Sequence, residues 1–174
     1  MENGQIQIYT GDGKGKTTAA MGLAVRALGA GKTVYLGQFV KDMEYAELSI
    51  LKQLKGITIE LYGDGDGCFI GRDPEQKDLE AAAEGLAKIR KAMESGNYDL
   101  VIADEINVSW LLKLITEEDM IALMDAKPED VELVFTGRGC PEGVLERADL
   151  ITEMKEVRHY YNEKGLESRD GIER

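Results

Sequence analysis

Little in this chain can hold a soft metal or a disulfide. Its one histidine, His159, cannot build a multi-histidine centre, and its two cysteines, Cys68 and Cys140, stand in neither a C-x-x-C pair nor a metal-ligand cluster. Two unpaired thiols suit a reducing compartment. Long apolar runs are also missing: "MENGQIQIYT" has no signal-peptide core, and no stretch approaches a membrane span. The expectation is a cytoplasmic protein. Positive charge is in short supply too, with 21 Lys and Arg against 33 Asp and Glu and a net charge of −12. That balance argues against general attraction to nucleic acid or to an anionic membrane.

The few cations are unevenly placed. Residues 1 to 41 carry Lys14, Lys16, Arg26, Lys32 and Lys41 against only Glu2 and Asp12, so the rest of the chain is strongly acidic. A local cationic site in an anionic protein suits a small polyanion. At 174 residues and 43% hydrophobic content the chain can bury one sizeable core, so a single domain over residues 1 to 174 is expected.

Short β-branched or aromatic runs alternate with helical patterns. Strands are expected at residues 5 to 10, 33 to 39, 57 to 63, 98 to 105, 131 to 138 and 150 to 157. Met21, Ala24, Val25 and Leu28 share one helix face. A second helix is expected from Asp73 as N-cap, with Pro74 first and Gln76 closing a capping box, burying Leu79, Ala82, Ala83, Leu86, Ile89 and Met93. Such alternation predicts an α/β fold with helices on a mostly parallel sheet of about six strands. Ligands then bind beyond the carboxyl ends of the strands, which places "TGDGKGKT", "ADEIN" and "TGRG" on one edge.

"TGDGKGKT" reads as a phosphate-binding loop with one departure, because Thr10 stands where G-x-x-x-x-G-K-[ST] has its first glycine. Gly11, Gly13 and Gly15 let backbone N–H groups converge on phosphate oxygens, with Asp12 and Lys14 between them. Lys16 supplies a point charge to the phosphates and Thr17 a hydroxyl to Mg²⁺. Thr18 is either an ordinary first-turn residue or a phosphate contact. "LVIADE" ends an apolar strand in carboxylates, where P-loop proteins hold the metal. A regular strand would turn Asp104 and Glu105 to opposite faces, and Glu105 is taken as the metal ligand with Asp104 as water-mediated support. Arg138 lies on the same edge, as a site residue or a surface salt bridge. No arginine-rich lid and no clear general base stand in the chain. His159 is the one imidazole, and a packed or exposed structural role is favoured for it.

With these residues in place, "YTGDGKGKTTAAMGLAVRALGAGKTVYLGQFVK", "VIADEIN", "VFTGRG" and "ADLITEMKEVRHYY" followed by "RDGIE" resemble the P-loop branch of the ATP:corrinoid adenosyltransferases, collinearly from about residue 6 to 173. The resemblance implies a three-layer, P-loop NTPase-like (RecA-like) fold. It implies transfer of the 5′-deoxyadenosyl group of ATP to the Co(I) of a corrinoid, with release of triphosphate, in cobalamin biosynthesis or salvage. It also implies ATP bound in reverse, so that Thr10 belongs to the family pattern and C5′ faces the corrinoid. Co(I) is itself a strong nucleophile, which accounts for the absent base.

By the same resemblance, Lys14, Lys16, Thr17, the loop amides and Mg²⁺ hold the triphosphate, Glu105 binds the metal, and Gln38 and Arg138 neighbour the site. Members are typically homodimers that receive an electron for Co(II) reduction from a flavoprotein. Two departures stand out. Some members carry an N-terminal extension that folds over the corrinoid, whereas this loop begins at residue 11, so closure is expected to come from elsewhere or to be weaker. Where members carry a G-x-G-F-x-W pattern whose aromatics displace the lower cobalt ligand, this chain reads Gly65-Asp66-Gly67-Cys68-Phe69-Ile70. Phe69 is the candidate wedge, with a hydrophobic anchor as its other reading, and chain alternation could instead turn Cys68 and Ile70 toward the corrinoid. Two further readings of the whole chain differ in kind: a small-molecule phosphotransferase, and a nucleotide-gated protein that only carries a corrinoid.

Overall fold

A computed structural model describes residues 3–40, 45–63 and 73–173. Six strands form one sheet: β1 (Ile6–Thr10), β2 (Val34–Phe39), β3 (Ile57–Tyr62), β4 (Leu100–Asp104), β5 (Glu132–Thr136) and β6 (Leu150–Glu153). Their order is β3-β2-β4-β5-β1-β6, and every pairing among the described residues is parallel. The helices are α1 (Lys16–Gly29), α2 (Ala46–Leu51), α3 (Gln76–Glu94), α4 (Ile106–Leu111), α5 (Glu117–Asp125), α6 (Glu142–Glu146) and α7 (Tyr160–Lys164).

Strand alternation divides the core into two layers. Val34, Leu36, Leu100, Ile102 and Val134 pack with Ala20, Met21 and Ala24 of α1 and Leu48 and Leu51 of α2. The intervening residues Tyr35, Phe39, Val101, Ala103, Leu133 and Phe135 pack on the opposite side with Ala82, Ile89 and Met93 of α3 and Met120 and Leu123 of α5. Parallel strands buried on both faces account for the near-continuous apolar runs of β4 and β5. On β2, Gly37 makes room for Tyr62, since a Cβ there would stand 2.7 Å from the ring; Gly85 on α3 does the same from the other side, also at 2.7 Å.

Several expected details shift. Val25 is 50% exposed, so the buried face of α1 runs through Ala20, Met21 and Ala24 instead. On α3 the buried stripe is Ala82, Gly85, Ile89, Ala92 and Met93, while Leu79 and Ala83 face outward. Its N-cap is Glu75 rather than Asp73, because Asp78 three positions on accepts from the Glu75 N–H at 2.7 Å and closes the capping box there. Strand β6 ends at Glu153, four residues short of expectation, where the chain turns across the glycine loop.

The register sets up the site. Gln38 pairs with Asp104 and Ala103 with Phe135, so Gln38, Asp104 and Thr136 reach the carboxyl edge together. Two-residue periodicity puts all three on the face covered by α1.

Candidate nucleotide and metal site

The loop between β1 and α1 is shaped by what crosses it. Gly11 and Gly15 take φ values of 95° and 119°, which favour glycine. A Cβ on Gly11 or Gly13 would stand 2.5 or 2.6 Å from the Met154 carbonyl oxygen. That carbonyl accepts from Gly13 N–H at 2.6 Å, and Met154 N–H donates to Thr10 O at 2.8 Å. Thr10 adds a bond that glycine could not make: its hydroxyl donates to Gly139 O at 3.1 Å, joining this loop to the one after β5.

Helix α1 starts at Lys16 without a side-chain cap, so its first-turn N–H groups face the loop. Uncapped amides at the positive end of a 14-residue helix form an anion site. Lys16 is only 8% exposed, and its Nζ donates to Gly11 O at 2.7 Å and Gly13 O at 2.8 Å. Burial pushes its pKa down, and the nearby Glu105 carboxylate opposes that most strongly. An anion delivered to this ammonium offsets a desolvation cost that the fold has already met.

Asp104 is fully buried and gathers three donors. Its Oδ1 accepts from the Thr17 hydroxyl at 2.9 Å and the Thr136 hydroxyl at 2.6 Å, and its Oδ2 accepts from Gln38 Nε2 at 2.8 Å. β4 stops there. Glu105 takes φ 61°, N-caps α4, and donates its N–H to Thr136 Oγ1 at 2.9 Å. The alternation that would separate the pair therefore breaks between them: Asp104 stays in the sheet, and the left-handed turn carries Glu105 to the partly exposed edge. Two buried acceptors here have no hydrogen-bond partner among the described residues, Gln38 Oε1 and Asn107 Oδ1, the latter on a side chain whose Nδ2 donates to Gly137 O at 3.2 Å. An orphaned acceptor beside Asp104, a glycine cradle and a Thr–carboxylate pair together fit a hydrated divalent cation bound with a polyphosphate.

The remaining expected residues spread around this centre. Asp12 and Thr18 are exposed, Arg138 is exposed on the loop after β5, and the charges of Arg138 and Asp12 both reach Lys16. Lys14 points away from Lys16: its Nζ donates to Ile172 O at 2.7 Å and pairs with Glu173 Oε1 at 3.2 Å. His159 N-caps α7, its Nδ1 accepting from Tyr161 N–H at 3.1 Å. Cys140 is a free thiol whose pKa burial pushes up to about 12, which makes it a poor nucleophile. Phe69, with Cys68 and Ile70, lies outside the described residues.

Sequence reasoning missed Thr136, Asn107 and the segment after β6. Thr136 carried a usable signal, as a hydroxyl ending an apolar strand at the position equivalent to Asp104. The segment belongs to the stretch that carried the family resemblance, but nothing local tied it to the loop, since its contacts there span more than 140 residues of chain. It lines, with Gly13 and Lys14, an open cavity of about 350 Å³ bounded by residues 155–160.

Comparison with known proteins extends over the whole chain. A sequence profile described as "ATP:corrinoid adenosyltransferase BtuR/CobO/CobP" matches residues 2–174. The corrinoid adenosyltransferase of Escherichia coli (strain K12) is 30% identical over 174 residues, covering 99% of this chain and 86% of that protein. Corrinoid adenosyltransferase CobA of Salmonella typhimurium is 31% identical over 173 residues, with the same coverages of 99% and 86%. Among solved structures, the flagellar accessory protein FlaH of Methanocaldococcus jannaschii superposes with a TM-score of 0.56 at 14% identity, over 88% of this chain and 72% of that one. That likeness bears on the fold, which is of the P-loop NTPase type.

Proposed function

Because the chain belongs to the ATP:corrinoid adenosyltransferase family, it is an enzyme of cobalamin metabolism whose substrates are ATP and a corrinoid, and we propose that the loop and acid cluster above are where they react. The observation that carries this placement is the meeting of Lys16 and Thr17, from the first turn of α1, with Asp104 and Glu105 at the adjacent strand end.

The reaction joins the cobalt of a Co(I) corrinoid to C5′ of ATP as the C5′–O bond breaks and triphosphate leaves. Co(I) brings its own electron pair, so no side chain has to remove a proton. What the protein must supply is alignment and fixed positive charge where the leaving group gathers negative charge. Lys16, the uncapped first-turn amides of α1 and the amides of Gly11 and Gly15 fill that role, with Asp12, Lys14, Thr18, Gln38 and Arg138 around them; Gly13, whose N–H is held by the Met154 carbonyl, shapes the loop. Mg²⁺ would neutralise triphosphate oxygens. Thr17 and Glu105 are its ligands in this reading: all three hydrogen bonds named for Asp104 come from protein donors and it is fully buried, whereas Glu105 reaches the open edge. Asp104 then orients the Thr17 hydroxyl. Phe69 remains the candidate for lower-ligand displacement. Residues 1 to 174 act as one domain of a cytoplasmic homodimer supplied with electrons by a flavoprotein, on the strength of the family resemblance.

Incubation with Mg-ATP and chemically reduced cob(I)alamin tests the placement. The wild-type chain should yield the absorption spectrum of adenosylcobalamin together with inorganic triphosphate, and Lys16→Ala should not. ADP as the product would instead make the site a phosphotransferase.

A further inference from the structure

Residues 169 to 173 return to the glycine loop between β1 and α1. From residue 161 to 172 every residue is exposed, and Ile172 is 56% exposed, so apolar burial does not hold this segment. Chain ends of that kind fray unless something ties them down. Glu173 is the tie: its side chain is 15% exposed, and it gathers donors from three residues. Arg169 supplies its backbone N–H at 2.8 Å, Nε at 3.3 Å and Nη2 at 3.1 Å. The Tyr160 hydroxyl donates to Oε1, as does Lys14 Nζ at 3.2 Å. The Arg169 guanidinium also lies 5.2 Å over the Tyr160 ring.

The placement is unusual in charge terms. A carboxylate beside a lysine of a phosphate-binding loop should repel the incoming anion. Here Arg169 shares the carboxylate, so Lys14, Arg169 and Glu173 sum to one positive charge, and the Glu173 carboxyl is held well below the usual range, first by Arg169 and then by Tyr160. The hub thus retains a net cation while fixing where it sits. Tyr160 also lines the cavity shared with Gly13 and Lys14, so the tie that holds Lys14 holds that wall.

We propose that Glu173, clamped by Arg169 and Tyr160, is a positioning residue for the triphosphate of ATP: it acts by holding Lys14 in place beside the glycine loop. This rests on the reading of that loop as the ATP site. Lys14 starts from an ordered position, so less side-chain freedom is lost when a polyphosphate arrives. Glu173 itself touches neither reacting atom.

The test is a double-mutant cycle on the full chain. Glu173→Gln keeps size and loses charge; it should raise KM for ATP and the inhibition constant of inorganic triphosphate about fivefold together, with kcat within about twofold. In a Lys14→Ala background the same substitution should change neither. Tyr160→Phe, which keeps the ring and removes one donor, should move the same constants in the same direction by less. Lys16→Ala serves as the reference for the site. If Lys16→Ala loses ATP binding while Glu173→Gln matches wild type, this proposal falls and the site stands. If Glu173→Gln is equally damaging with and without Lys14, the carboxylate does not act through Lys14 and the proposal is overturned. If Lys16→Ala binds ATP normally, the site reading fails and takes this one with it.

Discussion

Asp104 offers the sharpest test of the acid cluster, because its surroundings make opposite demands of its two simplest replacements. Asp104→Ala removes the common acceptor of Thr17, Thr136 and Gln38 in a fully buried place. The two hydroxyls can rotate toward other acceptors, but Gln38 Nε2 would join Gln38 Oε1 as an unpaired buried atom. One stranded amide donor and two weakened hydroxyl bonds amount to about 3 to 5 kcal/mol of lost stability. Asp104→Asn is different. An asparagine oxygen can still accept from both hydroxyls, and its amide can donate to Gln38 Oε1 if the Gln38 amide turns over, since that oxygen has no partner to lose. The exchange leaves the count of unpaired atoms unchanged and costs about 1 to 2 kcal/mol for the lost charge assistance. Urea denaturation at neutral pH measures both. The Mg²⁺ dependence of activity then separates Asp104 from its neighbour. Glu105→Gln, which would weaken the ligand proposed above, should raise the Mg²⁺ requirement far more than Asp104→Asn, which would only slacken the Thr17 hydroxyl. An alanine variant as stable as the asparagine one would refute the hub, and a reversed Mg²⁺ ranking would show that Asp104 is the ligand.

Other positions give independent outcomes. Lys16→Ala should lower kcat/KM by about 2 to 4 kcal/mol and weaken ATP binding measured by calorimetry, while α1 stays folded because alanine favours helix; unchanged ATP affinity would remove the loop from the mechanism. Gly37→Ala should destabilise by about 1 to 3 kcal/mol in thermal melts, its Cβ meeting Tyr62 and Ile89 at 2.7 and 2.8 Å; a neutral change would mean that Tyr62 repacks at no cost. Asp99 accepts from Thr33 N–H at 2.9 Å and Lys32 Nζ at 3.2 Å, and its pKa is lowered chiefly by the Thr33 backbone bond. A carboxyl depressed in the folded state stabilises the protein above its unfolded pKa of about 3.9 and loses that contribution as pH falls through its lower folded value. Asp99→Asn should therefore be less stable than wild type at pH 7 and approach it below about pH 4 in denaturation curves; a gap that persists at low pH would place the effect elsewhere.

Local chemistry made much of this protein legible along the chain. The alternation of strands and helices, the carboxyl-edge location of the three polar loops, and the strand–loop–helix setting of Gly11 to Thr17 follow from periodicity and from glycine's freedom, which are properties of short stretches. What only tertiary structure decided involved residues distant in sequence. Val25 and Leu79 have the right spacing for a buried stripe, but the buried face of a helix is set by where the sheet lies, and packing turned both outward. Asp104 and Glu105 cannot be ranked from a strand pattern, because the left-handed turn between them depends on α4 starting there and on Thr136 reaching over from β5. The need for glycine at residues 11 and 13 is written in the loop, yet its immediate cause is the Met154 carbonyl, more than 140 residues on. Lys14 reads in sequence as one more loop cation, and it took the return of residues 169 to 173 to show what it is tied to. Contacts of that separation leave no local period or spacing, since each partner satisfies its own neighbourhood and only the closed chain brings the two together.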